Sequence, residues 1–216
     1  MENGLPLRSL RPCSKVDTGY PLKVGHSSKR MMSAPTIKPS FSAVAATPAA
    51  SAPVVHAIHT GPWTAYYHEP EDETWDDKSY KRIHVCESYE SLGTFLRELG
   101  PHKTTNGLLR IMRGDISPMW ENSANIRGGS YCLKVGRRNA VEIFNRYVAA
   151  AARGLCAKDP KNEIVGVTIS PKKGSCIIKI WNMSAKAFRD PADILLLHEE
   201  VKEEEILYRA HTEQKM

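Results

Sequence analysis

The strongest constraint on the fold of this chain is a series of short runs rich in β-branched and aromatic residues, separated by polar and glycine-containing segments. Runs of this length and composition are typical of strands in a sheet. From about residue 57 onward there are seven of them: WTAYYH, YKRIHVC, LLRIM, SYCLKV, IVGVTIS, CIIKIW and EILYRAH. The sequence therefore predicts a seven-stranded protein.

Helical patterns lie between some of these runs. SYESLGTFLREL begins with Ser88 as a predicted N-cap, and NAVEIFNRYVAAAARG repeats apolar residues at helical spacing before Gly154. A third helix is predicted from about Ser184 to Leu197, with an interruption at Pro191. Seven strands and about three helices indicate an α+β protein, in which an antiparallel sheet carries the helices on one face. The other face is then open to a ligand.

The first part of the chain has a different composition. Residues 1–56 are rich in Pro, Ser, Ala and Lys, without helical or alternating apolar patterns, which predicts a disordered tail followed by one folded domain over residues 57–216. The tail holds seven basic residues and two acids, so it carries +5 of the formal net charge of +6. Its basic, acid-poor character also resembles an organellar transit peptide, the alternative interpretation. The folded part is nearly neutral and must attract any charged ligand locally.

Composition excludes several classes of protein. No stretch approaches the roughly 18 apolar residues that cross a bilayer, which argues against an integral membrane protein. Five cysteines without a CxxC pair, and a start without the apolar segment of a secretory signal, favour a reducing compartment. We expect neither a metal site nor a cofactor, because no ligand set at zinc spacing and no glycine-rich cofactor loop is present. Without a Nudix box or a Ser/His/Asp set, the chain is not expected to be an enzyme.

Two of the four tryptophans have unusual surroundings. A tryptophan is ordinarily a core or half-buried residue. Trp75, however, lies among acids and polar residues in EDETWDDKSY, and Trp120 lies in the Gly- and Pro-punctuated segment GDISPMWENSANIRGG. Large indoles on loops expose costly apolar surface and indicate a binding role.

These two indoles and the neighbouring Glu121 predict a particular ligand chemistry. Parallel indole faces stack on a planar ring and prefer a cationic one, because the aromatic quadrupole is negative over its face. Guanine methylated at N7 is such a ring. A carboxylate beside one indole accepts hydrogen bonds from the ring N–H and the amino group of guanine together, and Glu121 directly follows Trp120.

Three motifs in a fixed order resemble the eukaryotic translation initiation factor 4E family. DISPMWENSANIRGG is similar to the PMWE…RGG signature of that family, and TWDD, 45 residues earlier, resembles its other cap-stacking loop. IKIW, ending at Trp181, is the third match, and WTAYYH resembles the opening aromatic strand. The resemblance covers about residues 57–216 and implies a curved antiparallel sheet backed by helices.

The resemblance also implies roles for individual residues. Trp75 and Trp120 would sandwich the methylated base, Glu121 would bind its edge, and Trp181 would lie near the N7 methyl group. The strand alternation in CIIKIW places Lys179 on the same face as Trp181, which makes Lys179 a candidate for phosphate binding. The other candidates are the remaining basic residues near these motifs: Lys172 and Lys173 in the predicted hairpin turn PKKGS, and Arg127.

The chain departs from the family pattern at three places. Ser130 follows RGG where the family commonly has a basic residue. Gly93 stands on the first helix where the family carries a tryptophan that docks the 4G scaffold and inhibitory proteins. Ala150 lies in a run of alanines where bulkier apolar residues are usual. We therefore expect a 4G-type partner to bind an atypical dorsal surface; alternatively, the alanines permit close packing of helix on sheet.

These observations predict a divergent, non-catalytic 4E paralogue that binds capped messenger RNA in translation initiation, in the cytoplasm and also in the nucleus. A repressor that binds the cap without recruiting the scaffold is one alternative. A general RNA-binding module, which would use the basic tail and the single RGG, is a second alternative of a different class. An enzyme acting on capped nucleotides is a third.

Overall fold

The computed structural model describes residues 54–214. The predicted tail over residues 1–56 lies outside the described residues except for its last three. The tail and the boundary near residue 57 therefore stay predictions.

All seven predicted strands are present, and they form a single antiparallel sheet that is curved. Their bounds are Trp63–His68 (β1), Lys81–Cys86 (β2), Leu108–Arg113 (β3), Gly129–Gly136 (β4), Ile164–Lys172 (β5), Ser175–Asn182 (β6) and Leu207–Ala210 (β7). In the sheet they lie in the order β2-β1-β3-β5-β6-β4-β7. The predicted α+β class is confirmed.

The side chains alternate between the two faces of the sheet, because successive residues of a strand point to opposite sides. On β6, Ile178 and Ile180 are fully buried in the main apolar core, whereas Lys179 and Trp181 lie on the other face. The same alternation puts Leu109 and Ile111 of β3 in the core and Arg110 opposite. The helices pack on the core face, so the second, concave face remains accessible.

Two helices cover the core face, Tyr89–Asn106 (α1) and Ala140–Ala152 (α2). The predicted cap of α1 is confirmed, since the Ser88 side chain accepts a hydrogen bond from the backbone N–H of Ser91 at 3.1 Å. α1 extends beyond the predicted end through a kink at Gly100, whose φ of 70° lies in the left-handed region. Neither helix in the described part of the chain is long and apolar enough to cross a membrane.

The predicted third helix over Ser184–Leu197 is wrong. The only helical element there is one short 3-10 helix, Pro191–Asp193. Asp190 caps it by accepting a hydrogen bond from the backbone N–H of Ala192, and proline disfavours helical geometry at the residue before it. The chain is extended after this helix. Ile194 comes first and is fully buried, and the backbone N–H of Leu195 donates a hydrogen bond to the carbonyl of Cys156.

Candidate functional site

The concave face of the sheet is organised in rows of cross-strand neighbours. One row runs from Met112 on β3 through Gly166 to Trp181 on β6, then to Ser130 on β4 and Arg209 on β7. The next row, two residues along each strand, contains Tyr66, Arg110, Thr168, Lys179, Cys132 and Leu207. These two rows therefore place two aromatic side chains, Tyr66 and Trp181, on one face with three cationic ones, Arg110, Lys179 and Arg209.

Trp120 and Trp181 lie together at one end of this face. Trp181 is buried with Met112 and Val165 in a small apolar cluster, and the half-buried Trp120 packs against the same cluster. Trp120 lies in the irregular segment after β3, as predicted, and its loop brings the indole back onto the sheet. The structure thus joins two of the three predicted base-binding tryptophans.

Trp75 is the exposed tryptophan of the site. Its side chain is 61% exposed on the loop between β1 and β2, which confirms that this segment is solvated. One face of the indole stacks on the imidazole of His68, with ring centroids 4.4 Å apart and planes 11° from parallel. His68 is itself held by the carbonyls of Glu69 and Thr74 at 2.9 and 2.8 Å. Trp75 therefore has one supported face and one face free for a ligand.

The loop that carries Trp120 and Glu121 is tied to the sheet by Arg110. The guanidinium of the half-buried Arg110 donates hydrogen bonds to the carbonyl of Pro118 and, at 2.6 Å, to the hydroxyl of Tyr80. It also lies over the Tyr80 ring at 4.4 Å. Burial lowers the pKa of Arg110, but arginine retains its charge in proteins, and Glu121 is close enough to act on it electrostatically. Glu121 itself is exposed to solvent.

The two glycines of the RGG motif are required by close approaches. A Cβ atom on Gly128 would overlap the backbone carbonyl of Asn182, and one on Gly129 would overlap the hydroxyl of Tyr208. The Asn182 side chain fixes this arrangement, since its Oδ1 accepts hydrogen bonds from the Gly129 N–H at 3.1 Å and the Tyr208 hydroxyl at 3.0 Å. The motif thus lets β4 begin directly beside Trp181.

Three buried polar atoms around Trp181 have no hydrogen-bond partner among the described protein atoms: Nε1 of Trp181, Nε2 of His211 and Oδ1 of Asn125. The His211 ring lies 4.7 Å from the Trp181 ring, and its Nδ1 is 2.8 Å from the carbonyl of Asn125. The Asn125 amide donates to the carbonyls of Ser117 and Met119, each at 2.7 Å, and so shapes the Trp120 loop. Unpaired buried polar atoms are uncommon in folded proteins, and these three lie beside the Trp181 cluster.

The structure separates the four predicted phosphate-binding residues. Lys172 and Lys179 line one cavity of about 720 Å³ together with Trp75. Lys173 lies in the two-residue hairpin turn between β5 and β6, which confirms the predicted turn, but it does not line that cavity. Arg127 is exposed in the loop before β4, where its backbone carbonyl accepts a hydrogen bond from Ala185.

The predicted partner surface lies on the helices of the core face. Gly93 is exposed on α1, and a Cβ atom there would meet no atom within 4 Å. Ala150 is half-buried against the core, while Ala151 and Ala152 are fully buried, so close packing accounts for the later alanines of the run. Neither Gly93 nor Ala150 lines the nearby concavity of about 550 Å³, which is bounded by Tyr89, Arg153 and the exposed Leu155.

Sequence reasoning missed several residues of the concave face. Arg110, Arg209 and Lys134 were not predicted, although the alternation of LLRIM, EILYRAH and SYCLKV places each of them opposite a core residue. No sequence signal indicated that His68 would support Trp75. That contact depends on the path of the β1–β2 loop, which strand alternation does not determine.

Fold and site together define an α+β protein that presents tryptophans on two loops and a group of basic side chains on the concave face of one antiparallel sheet. The family model for eukaryotic initiation factor 4E matches residues 60–216, so the chain belongs to the eukaryotic initiation factor 4E family.

Similar proteins are known in yeasts and in worms. The chain is 28% identical over 138 residues to eukaryotic translation initiation factor 4E of Candida glabrata and 25% identical to that of Saccharomyces cerevisiae, covering 61% of this chain in both cases. These matches span 65% and 63% of the relatives, which is less than two thirds of their length.

Solved structures share the fold at lower identity. Ascaris suum eIF4E-3, solved with an m2,2,7G cap, superposes with a TM-score of 0.52 at 16% identity, covering 62% of this chain and 77% of that chain. The schistosome eIF4E, solved with m7GpppA and 4E-BP, gives a TM-score of 0.54 at 20% identity, covering 62% and 74%.

Proposed function

We propose that this protein binds the 7-methylguanosine cap of messenger RNA and acts in translation initiation without catalysing a reaction. One observation carries the proposal. In a chain of the 4E family, the loop with Trp120 packs against Trp181 on the concave face. Lys179 and Arg209 lie on the same face, and within residues 54–214 neither has a carboxylate oxygen within 4.0 Å. A methylated guanine needs an aromatic, electron-rich slot with an acceptor at its edge and cations for its phosphates.

The methylated base enters between the free face of Trp75 and the Trp120 loop. Each base–aromatic stack contributes roughly 1–3 kcal/mol, and each charge-assisted hydrogen bond to Glu121 adds roughly 1.5–3 kcal/mol before the costs of binding. The N7 methyl group gives the base its positive charge, which strengthens both the stacking and the pairing with the carboxylate. Lys172 and Lys179 then face the phosphates from the cavity beside Trp75.

Calorimetry of 7-methyl-GTP binding to three variants tests this arrangement. The variants are Trp75→Ala, Trp120→Ala and Glu121→Gln. Loss of one stack lowers affinity roughly 5- to 150-fold, the equivalent of about 1–3 kcal/mol. Glu199→Gln serves as a matched control, because Glu199 is an exposed carboxylate elsewhere in the chain and its neutralisation should leave binding unchanged. Wild-type affinity in both tryptophan variants would contradict the proposed slot.

Two of the buried thiols are unsuited to nucleophilic catalysis. Burial raises the pKa of Cys86 to about 11 and that of Cys156 to about 12, so both are neutral and weak nucleophiles at physiological pH. Incubation with capped RNA should release no methylated nucleotide. Release that scales with protein concentration would establish an enzyme instead.

The partner is a 4G-type scaffold that binds an atypical dorsal surface. Gly93 leaves the exposed side of α1 without an aromatic anchor, and the apolar concavity beside Tyr89 and Leu155 offers a different one. The same observation supports the second candidate, a repressor that binds the cap without the scaffold. Affinity purification of the tagged protein from cells separates the two, since an activator is recovered with a 4G-type protein and a repressor is not. Imaging of the same tagged protein tests the expected location in the cytoplasm and nucleus.

A further inference from the structure

One histidine ring bridges the start of the loop between β1 and β2. His68 is the last residue of β1, and strand alternation places its side chain on the concave face, opposite the core residue Tyr67. Its Nδ1 lies 2.9 Å from the carbonyl oxygen of Glu69, and its Nε2 lies 2.8 Å from the carbonyl oxygen of Thr74. The ring therefore joins the two ends of the segment 69–74, which leads directly to Trp75.

Both contacts require a hydrogen-bond donor on the ring. A carbonyl oxygen only accepts, so each ring nitrogen must carry a proton to bond its carbonyl. A neutral imidazole has one N–H, and its other nitrogen would present a lone pair to an oxygen less than 3 Å away. His68 is only 1% exposed, so solvent has little access to its ring nitrogens. The geometry is that of an imidazolium, with both nitrogens protonated.

The bridged loop surrounds this ring with negative charge. Residues 69–73 hold four acids, and Asp72 is fixed among them by hydrogen bonds from the hydroxyl and the backbone N–H of Thr74 at 2.5 and 2.9 Å. These bonds lower the pKa of Asp72, desolvation acts in the opposite direction, and the charges of His68 and Lys81 lower it further. Asp72 is thus a carboxylate at neutral pH and favours the positive charge on His68.

The sheet side of the ring carries one opposing charge. The ring of Tyr80 lies 5.0 Å from that of His68, and burial raises the pKa of Tyr80, so its hydroxyl is neutral at physiological pH. Arg110 lies over the same Tyr80 ring at 4.4 Å and is the like charge nearby. The Tyr80 ring separates this cation from His68, whereas the two carbonyls bond the imidazolium directly. The direct bonds therefore outweigh the repulsion.

The charge of His68 has two opposite effects on a ligand at Trp75. The imidazolium stacks on one indole face, and a cationic base on the other face would lie about two stacking distances away, roughly 8 Å. Repulsion across that distance costs about twofold in affinity at the dielectric of water, and salt reduces it. Loss of one charge-assisted hydrogen bond from the bridge releases the loop under Trp75 and costs roughly tenfold. Positioning is the larger effect.

We propose that His68, as an imidazolium bonded to the carbonyls of Glu69 and Thr74, is a positioning residue that holds Trp75 in place for the ligand. This inference rests on the proposed cap binding, because Trp75 supplies one wall of the base slot. A bound ligand favours the bridged loop, and the bridged loop favours the protonated ring, so ligand and proton strengthen each other's binding. Affinity for 7-methyl-GTP is therefore highest with His68 charged and falls as the pH rises and the ring loses its proton.

Calorimetry of 7-methyl-GTP binding between pH 6 and pH 8 compares wild type with His68→Phe, using the full-length protein. Phenylalanine keeps a flat ring beside Trp75 but has no donor and does not titrate. Wild type should bind roughly tenfold more tightly than the variant at pH 6, and the difference should shrink to about twofold at pH 8. Titration of the ligand itself affects both proteins equally and cancels in the comparison.

The matched control is His84→Phe. His84 also stacks on an aromatic ring, that of Phe95 on α1, with centroids 4.9 Å apart and planes 1° from parallel. It lies on the helix side of the sheet and contacts no part of the Trp75 loop through a hydrogen bond, since its ring nitrogen bonds Ser91. This variant should keep the pH profile of wild type. Parallel profiles for wild type and His68→Phe would overturn the inference.

Nitrogen-15 NMR of the ligand-free wild type tests the bridge without relying on the fold of a variant. At pH 6 both ring nitrogens of His68 should be protonated, and the indole N–H signal of Trp75 should shift with the same midpoint as the loss of that proton. Trp75→Ala identifies the indole signal. A bare ring nitrogen at pH 6, or a Trp75 signal that stays constant while His68 titrates, would refute the bridge.

Failure of this inference is distinguishable from failure of the proposed function. If wild type does not prefer 7-methyl-GTP over GTP, the proposed function fails, while the NMR titration still decides whether His68 holds Trp75. If that preference is present but the pH profiles are parallel, the inference alone is overturned. Circular dichroism melting of each variant at pH 6 and pH 8 confirms that it is folded.

Discussion

At the scale of single residues, the Trp120 loop depends on the guanidinium of Arg110. Arg110 reaches the Pro118 carbonyl and the Tyr80 hydroxyl at the same time, because the planar fork of arginine presents several donors in fixed directions. A lysine ammonium carries all its donors on one nitrogen at the end of a flexible stem, so it does not reproduce the two separate guanidinium nitrogens that make these bonds. The position therefore requires arginine rather than any cation.

We expect Arg110→Lys to destabilise the protein by about 1–3 kcal/mol, because a buried acceptor loses its donor. Urea denaturation followed by circular dichroism measures this change. Arg82→Lys is the control, since Arg82 makes a single exposed ion pair with Asp115 at 3.4 Å and its replacement should change little. Equal midpoints for Arg110→Lys and wild type would contradict the anchoring role.

His211 gives the fold a predictable response to pH. Burial lowers the pKa of His211 below its ordinary value of 6.5; the nearby charges of Lys179 and Arg110 lower it further, while the hydrogen bond to Asn125 and the charge of Glu121 act in the opposite direction. The folded state thus disfavours the protonated ring, and the unfolded state does not. This contribution to stability is complete above pH 6.5 and is lost as the pH falls from 6.5 toward the folded-state pKa.

The melting temperature of wild type should therefore fall more steeply between pH 7 and pH 5 than that of His211→Gln, which has no titrating ring at this position. Differential scanning calorimetry at several pH values gives the slope of melting temperature against pH for each protein. The contributions of the other titrating groups are the same in both proteins and cancel in the comparison. Parallel slopes would show that His211 does not carry this dependence.

At the scale of elements, two glycines with opposite surroundings illustrate how packing decides the effect of a substitution. Gly128 precedes β4, where the Asn182 backbone occupies the space of a side chain, whereas Gly93 lies on the exposed side of α1 with nothing within 4 Å. A Cβ atom is therefore a clash at the first position and a gain in helix propensity at the second.

Gly128→Ala should destabilise the protein by roughly 1–3 kcal/mol or more and weaken 7-methyl-GTP binding, because β4 begins beside Trp181. Gly93→Ala should stabilise it by roughly 0.5–1 kcal/mol and leave nucleotide binding unchanged. Urea denaturation and nucleotide titration of both variants provide the measurement. Similar stabilities for the two variants would refute the packing argument for the RGG motif.

The spacing of apolar residues predicted all seven strands and both principal helices. A half-buried strand and an amphipathic helix each repeat their apolar residues at a characteristic period in the sequence. The strand alternation also placed Lys179 and Trp181 on one face. The Ser184–Leu197 segment was predicted wrongly, since its apolar residues follow a helical period but are held extended by the bonds of Leu195 and by the cap at Asp190. The support of Trp75 by His68 was not predictable from periodicity, because it joins a loop to a strand end through tertiary contact.

At the scale of the whole molecule, charge is distributed unevenly. Most of the formal excess of +6 lies in residues 1–56, so the folded part carries little net field. Selectivity for a ligand must then come from the concave face itself, where one sheet carries Lys179, Arg209 and Trp181 and the loops beside it carry Trp75, Trp120 and Glu121. A protein that relied on its basic tail would instead bind capped and uncapped RNA alike, with strong salt dependence.

The most direct test of this account is the ratio of the dissociation constants for GTP and 7-methyl-GTP, measured on the wild-type protein by quenching of tryptophan fluorescence. The two ligands differ by one methyl group and the positive charge that it confers on the base. Stacking between tryptophans and pairing with Glu121 both favour the charged base, so the account predicts binding of 7-methyl-GTP at least about tenfold tighter, equivalent to about 1.4 kcal/mol. Equal affinity for the two nucleotides would contradict it.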